Sequence, residues 1–369
     1  MAAPDTLLTL VLLGGAALGL AFGALVQATR FCTMGAIADV MTFGDATRLR
    51  MWVGAALVAM LGAQALIGFG GVDLSSSIYT SRRIPWLSQA LGGALFGFGM
   101  VLAGGCPSRA LTRLGSGNLK ALVVLLMVGL FAQMSLRGVL AAPRANGLDS
   151  VALMLAGPQD LPGTVARLSG FGIDVVRVAL CAAIALPVLA WIARGAGGRR
   201  PAAWLASLAI GAIVAGAWWL TGALGHLAEH PETLEPAWLG TASKRPEALS
   251  FVAPSAHALD LLTLWSDRGT VLSFGVALLV GTTCGAALSA LARREFHWES
   301  FRDLRDLAQH LVGGALMGAG GVLALGCSIG QGLSGVSLLS IGSFVALAAI
   351  VLGACAALRY QAGVIERCG

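Results

Sequence analysis

Charge is scarce in this sequence. Lys, Arg, Asp and Glu make up 11% of its 369 residues, 57% are hydrophobic and the mean hydropathy is +0.83. A soluble domain carries about 25% charged residues, so the chain is read as a polytopic membrane protein whose main surroundings are the lipid bilayer. Long basic runs are also missing. The net charge of +6 is dispersed, which argues against nucleic acid as a partner, and cytoplasmic loops account for the excess. None of the seven cysteines (32, 106, 181, 284, 327, 355 and 368) has a CxxC partner, which argues against a zinc site or a thioredoxin-like redox pair. No metal and no cofactor is expected. No ATP-binding motif occurs, so ATP hydrolysis is not expected either. No basic residue precedes the first apolar run, MAAPDTLLTLVLL, which is read as a first span rather than a cleaved signal peptide.

What is abundant is glycine. There are 51, roughly twice ordinary usage. Small residues let membrane helices approach closely and mark irregular backbone at membrane depth. Many of them fall in a stretch that occurs twice: residues 92–106 read GGALFGFGMVLAGGC and residues 313–327 read GGALMGAGGVLALGC. A shift of 221 residues superposes the copies without a gap, with 11 of 15 positions identical and both ending on cysteine. Each copy is followed by a short breaker-containing piece, PSRALTRLG or SIGQGLSG, and then by a new apolar segment. Interrupted hydrophobic segments at corresponding places in two halves point to a transporter's substrate site.

Apolar stretches of spanning or near-spanning length fall at about 7–28, 50–71, 88–103, 119–138, 174–193, 202–223, 271–292, 310–325 and 338–358. The fold expected is all-α, with about nine transmembrane helices and short re-entrant half-helices. Those at 88–103 and 310–325 are short, as if each ends inside the membrane at its Gly-Cys. The charged stretch 293–307 is expected to form an interfacial or cytosolic amphipathic helix. Residues 1–140 are read as a first half with the Cys32 and Cys106 loops. Residues 141–201 connect it, with one span, to a second half at 202–369 that carries the Cys327 loop.

Fifteen of the 24 Lys and Arg residues lie near 29–50, 104–120, 194–200 and 293–309 and in the C-terminal tail, and nine lie near 72–87, 137–177 and 224–270. The positive-inside rule then puts the N-terminus outside and the C-terminus in the cytoplasm. On that count the segment ending at Cys106 runs inward and its twin ending at Cys327 runs outward. The halves are therefore expected to form a pseudo-symmetric inverted repeat.

Gly104, Gly105 and Gly326 suit a bend before each cysteine. Pro107 after Cys106, and Ser328 after Cys327, stand where a short helix would begin. Free N–H groups and a partial positive charge at such termini favour an anion. Two facing termini would make an anion site without a buried lysine or arginine. A third cysteine, Cys32, breaks the first span in ATRFCTMGAIAD beside Arg30, with Asp39 following. Arg30 and Asp39 are read either as functional groups or as interface anchors and structural partners. The segment LSALARREFHW (288–298) is at best a distant echo of this stretch. A neutral thiol is a soft, polarizable donor and suits a soft sulfur or selenium atom better than a carboxylate or phosphate. Cys181, Cys284 and Cys355 are read as apolar filler and Cys368 as a tail residue.

The stretches RFCTMGAIAD (30–39), GGALFGFGMVLAGGCPSRALTRLGSGNLKAL (92–122) and GGALMGAGGVLALGCSIGQGLSGVSLLS (313–340), with EFHWESFR (295–302) between them, resemble the YeeE/YedE family of bacterial inner-membrane sulfur transporters. The resemblance implies uptake of thiosulfate by a pseudo-symmetric monomer. It also implies three pathway cysteines, Cys32, Cys106 and Cys327, which pass the substrate along by S–H···S hydrogen bonds. Some members are linked to selenium, and several act with a TusA-like sulfur carrier. The function expected is therefore a non-enzymatic permease for a small sulfur-containing anion. The alternatives are a selenium-species transporter, or a membrane thiol oxidoreductase or sulfurtransferase that uses the same cysteines covalently. No family pattern matches residues 139–173 or 224–270.

Overall fold

The computed structural model describes residues 4–195, 201–229, 234–267 and 269–368, with side chains from residue 5 to residue 364. Residues 196–200, part of the 194–200 connection, and the side chain of Cys368 lie outside the described residues. The chain is helical nearly throughout. A long first helix α1 (Pro4–Thr29) is followed by α2 (Thr33–Phe43) and α3 (Thr47–Gly68). Then come α4 (Trp86–Leu102), the nine-residue α5 (Pro107–Gly115) and α6 (Leu119–Leu136). The middle of the chain forms α7 (Leu161–Ser169), α8 (Ile173–Arg194) and α9 (Pro201–Trp219). The last third holds α10 (Val252–Thr263), α11 (Phe274–Ala292), α12 (Leu304–Leu323) and α13 (Ile341–Cys368). Two antiparallel pairs of two-residue strands, Arg83–Ile84 with Leu153–Met154 and His226–Leu227 with Ala237–Trp238, pin the connections.

Among the described residues eight helical segments are long and apolar enough to cross a bilayer, which makes this a multi-pass membrane protein. Eight of the nine expected stretches coincide with them. The ninth, α12, is 20 residues long but falls short in apolarity. Its first two turns carry Arg305, Asp306 and His310. The amphipathic helix expected over 293–307 is not formed: residues 295–303 run without helix, and Asp303 caps α12 by accepting from the Asp306 N–H at 2.7 Å. The charged residues of that stretch belong partly to the cap and first turn of a long helix.

Glycine explains how the helices come together. A Cβ on Gly23 of α1 would lie 2.0 Å from the Thr282 carbonyl of α11, and one on Gly285 of α11 would lie 2.0 Å from the Leu20 carbonyl of α1. Backbone therefore lies directly on backbone, as at small-residue crossings of membrane helices. The two copies of the repeat meet in the same way. Gly92 and Gly99 of α4 face the Gly320 and Gly313 carbonyls of α12, with hypothetical Cβ distances of 2.7 and 2.6 Å. The numbering runs in opposite senses, so α4 and α12 cross antiparallel through equivalent glycines. Each copy then packs on the other half's following helix, α4 on α13 and α12 on α6.

Lys120, at the start of α6, is 5% exposed. It pairs with Glu299 at 3.3 Å and with Asp306 at 2.9 Å. The Leu119 N–H donates to the Glu299 carbonyl at 2.9 Å, tying the 295–303 stretch to the start of α6. On the other half, the Gln159 carbonyl accepts from the Ile341 N–H at 3.1 Å and its side chain accepts from the Gly342 N–H at 3.0 Å. The 139–173 segment thus braces the start of α13 as 295–299 braces α6.

Candidate functional site

The two Gly-Cys stretches fold into the same bend. After α4 the Ala103 N–H donates to Gly99 O at 2.9 Å and the Gly105 N–H to Met100 O at 2.8 Å. After α12 the Ala324 N–H donates to Gly320 O at 2.8 Å and the Gly326 N–H to Gly321 O at 2.8 Å. These bonds close a helix C-terminus through a left-handed residue, Gly104 at φ 69° in one copy and Leu325 at φ 58° in the other. Gly105 at φ 155° and Gly326 at φ 158° come next, in a region where a side chain is strained. Each cysteine then starts a new helix: Cys106 O accepts from the Ala110 N–H at 2.9 Å and Cys327 O from the Gln331 N–H at 2.8 Å. Pro107 occupies the first helical position of α5, and Ser328 opens the second short helix at the corresponding place.

The copies diverge past the cysteines. Residues 330–335 form a π turn, which accommodates one additional residue. The shift between copies becomes 222, so that Leu339 (φ 53°) stands for Gly117 (φ 96°) and Ser340 for Asn118. The ungapped match in sequence ends before this insertion.

Cys106 and Cys327 are 1% and 0% exposed and Cys32 is 8% exposed. Cys106 lies within coulombic range of both Cys32 and Cys327. The Cys32 sulfur caps α2 by accepting from the Gly35 N–H at 3.4 Å, and the Cys327 sulfur accepts from the Gly330 N–H at 3.3 Å. An N–H aimed at the sulfur lone pairs leaves the S–H free to donate elsewhere. The Cys106 sulfur lies 3.1 Å from the Ser108 hydroxyl. Ser328 Oγ is buried without a hydrogen-bond partner among the described residues.

Two cavities flank these thiols. The first, about 610 Å³, has Cys32, Gly104, Arg30, Arg109, Arg113, Asn118 and Glu299 in its wall. The second, about 300 Å³, is bounded by Tyr79, Glu247, Ser250, Val322 and Gly326. Helix α12 begins at Asp306's pairing with Lys120, next to Glu299 of the first cavity, and its last turn puts Gly321 and Val322 in the wall of the second. Its 20 residues span roughly 30 Å at ~1.5 Å per residue. The cavities therefore lie at opposite ends of that helix, with Cys106 and Cys327 buried between.

Arg30 adopts φ 53° just before Cys32, and its exposed side chain lines the first cavity. Arg294 at φ 56° ends α11 in the same conformation, which is all that the echo at 288–298 amounts to. Asp39 is paired with Arg48, whose Nη2 donates to Oδ1 at 2.7 Å and whose side chain lines the first cavity. Cys181 and Cys355 are partly exposed and Cys284 is exposed, all away from the cavities.

Two parts of this arrangement were not anticipated. Of the arginines only Arg30 is singled out by the sequence, and the facing helix termini are expected to serve an anion without a buried lysine or arginine, yet Arg109 and Arg113 of α5 also line the first cavity. Their spacing of four puts them on one face of a nine-residue helix, the one sequence signal from which they could have been found. The other part is the wall of the second cavity, supplied largely by Tyr79 and by residues 242–257 of the 224–270 segment. A Cβ on Gly330 would lie 3.2 Å from both Tyr79 Oη and Ser250 Oγ, so this wall reaches the Cys327 turn. Burial opposes the charge on Glu247 in that wall and raises its carboxyl above the usual range, against the hydrogen bonds from Ser243. Burial also works against ionised Glu299 at the first cavity. There Lys120, helped by Arg113 and Asn118, outweighs it and holds the carboxyl below its usual range.

The sequence is similar to those of known proteins. The chain is 26% identical over 357 residues to the thiosulfate transporter TsuA of Escherichia coli, covering 93% of this chain and 92% of that one. It is 25% identical over 350 residues to the thiosulfate transporter TsuA of Spirochaeta thermophila, covering 92% and 96% respectively. The profile of the sulphur transport family matches residues 28–356. With both cysteine bends and the Cys32 turn inside that match, the chain belongs to the sulphur transport family.

Proposed function

We propose that this protein is a permease of the bacterial inner membrane that takes up thiosulfate, handing it along Cys327, Cys106 and Cys32. The observation that carries the reading is the pair of buried thiols on equivalent bends between two cavities. Thiosulfate has a soft terminal sulfur, which a neutral S–H donor matches, and an anionic end suited to helix N-termini. The names of the two TsuA relatives support the choice of substrate. A TusA-like carrier on the Cys32 side is the partner implied by the family resemblance. The test is initial-rate uptake of labelled thiosulfate into cells or vesicles containing the protein, with selenite and sulfate as competitors. Saturable uptake that unlabelled thiosulfate suppresses and sulfate does not is the expected result. Suppression by selenite at equal or lower concentration moves the assignment to selenium species, and absence of uptake refutes it.

The orientation belongs to the same proposal. Nine spans, with α12 as the ninth, put the N-terminus outside and make residues 1–140 and 202–369 an inverted pair joined by 141–201. The antiparallel crossing of α4 and α12 through equivalent glycines supports this, as does the sorting of connections between the cavities. Residues from 27–48, 104–118 and 295–299 meet at the first, and residues from 78–79, 144 and 242–257 at the second. Single cysteines in a cysteine-free background test it with an impermeant thiol reagent. Ser243→Cys labels from outside and Ser300→Cys only from the cytoplasm. Labelling of both from one side refutes the inverted arrangement.

A further inference from the structure

The first cavity carries more positive charge than its own partners neutralise. Of the two carboxylates in its wall, Glu299 is paired with Lys120 at 3.3 Å and Glu295 with Arg293 at 3.5 Å. Arg48 is matched by Asp39. That leaves three guanidinium groups, on Arg30, Arg109 and Arg113. Arg113 Nη1 donates to the Gly104 carbonyl at 3.4 Å, and its guanidinium makes no direct ion pair among the described residues, although its charge helps to keep Glu299 ionised. Arg109 has no ion pair among the described residues, and its buried Nη1 has no hydrogen-bond partner. A buried guanidinium N–H without an acceptor is an unfavourable arrangement in an empty site and a favourable one when an anion supplies the oxygen.

The position of Arg109 says which part of the substrate it meets. It follows Cys106 by three residues, in the first turn of α5, and lies within coulombic range of Cys32. A Cβ on Gly105 would come 2.9 Å from Arg109 Cγ, so the stem of the arginine is folded back against the bend. Guanidinium groups bind planar pairs of oxygens on a tetrahedral oxyanion, and thiols do not.

We propose that Arg109, with Arg113 and Arg30, forms a binding site for a tetrahedral oxyanion in the Cys32 cavity, at which the sulfonate end of thiosulfate is held while Cys32 and Cys106 engage its terminal sulfur. The inference rests on the permease reading and adds a second recognition element to it. Arginine accepts any tetrahedral oxyanion of this size, and the thiols accept only one with a soft atom. Sulfate therefore binds at the Arg109 site, on the Cys32 side, without passing the cysteines, so sulfate supplied from the Cys327 side does not reach it and leaves thiosulfate uptake unaffected.

The experiment uses the purified full-length chain in detergent and labelled sulfate, so that it is independent of transport. Wild type binds sulfate by equilibrium dialysis, and sulfate slows alkylation of Cys32 by N-ethylmaleimide relative to chloride at equal ionic strength. Arg109→Gln weakens binding roughly ten- to hundredfold, the equivalent of losing one charge-assisted hydrogen bond. Arg109→Lys, which keeps the charge but not the fork, loses less. Arg113→Gln serves as the second variant, with the elution profile on size exclusion as the check that each folds. Unaltered sulfate binding in both Gln variants, or no binding to wild type at millimolar sulfate, overturns the site. Thiosulfate uptake by the same wild-type protein, measured separately, tells failure of this site from failure of the permease reading.

Discussion

Gly105→Val and Gly326→Val each abolish thiosulfate uptake while the protein still inserts in the membrane. Both residues sit at positive φ, 155° and 158°, where a β-branched side chain is strained by roughly 1–3 kcal/mol. At Gly105 there is also no room, since a Cβ would come 2.9 Å from Arg109 Cγ and 3.1 Å from Arg109 Cβ. At Gly326 the nearest atoms, on Gln331 and Tyr79, stand at 3.4 to 3.5 Å, ordinary contact. The two substitutions therefore act for partly different reasons. Valine at 326 bends the backbone alone, whereas valine at 105 also displaces Arg109. Ala at each position separates them: Gly326→Ala keeps more uptake than Gly105→Ala, because only backbone strain remains at 326. The measurement is initial uptake rate normalised to inserted protein. Wild-type rates in both Val variants refute the importance of the bends.

The bends were legible because a low-complexity apolar chain shows few features, and an ungapped Gly-Cys repeat is a strong one. Helix positions were legible for the same reason, since apolar runs of near-spanning length leave little choice of structure in lipid. What escaped was either non-local or hidden by polarity. Hydropathy starts the span at 310 rather than Leu304 because Arg305 and Asp306 read as the end of a charged amphipathic helix, and only the pairing of Lys120 with Asp306 ties them into the first turn of α12. The π turn at 330–335 escaped because an inserted residue leaves no mark in hydropathy. Tyr79 and Ser250 stand on connections without periodicity, and only the fold brings them to the Cys327 turn. Arg109 and Arg113 were visible as letters, but a pair of arginines after a span reads first as a cytoplasmic anchor.

Cys106→Ala and Cys327→Ala each reduce thiosulfate uptake close to background, and replacement by Ser retains part of it. The reason lies in what each change leaves behind. Ala removes one sulfur atom and little volume, so a packing role predicts almost no effect at residues buried to 1% and 0% exposure. A donor role predicts that the substrate sulfur meets no partner in a passage closed to water. A lost hydrogen bond to a charged group is worth roughly 1.5–3 kcal/mol, about a ten- to hundredfold slowing if it is felt at the limiting barrier. Serine still donates, yet its oxygen prefers hard partners, so Ser variants fall between. At Cys327 the Gly330 N–H can bond to a serine oxygen as it does to sulfur at 3.3 Å, which keeps the turn intact and isolates the change to the donor. Cys181→Ala, at a partly exposed residue outside both cavities, transports at the wild-type rate and serves as the control. Wild-type rates in both Ala variants remove these thiols from the pathway. Complete loss with Ser and Ala alike, accompanied by a persulfide mass on wild-type protein exposed to thiosulfate, replaces the hydrogen-bond relay with covalent sulfur transfer, because a hydroxyl cannot take part in that chemistry.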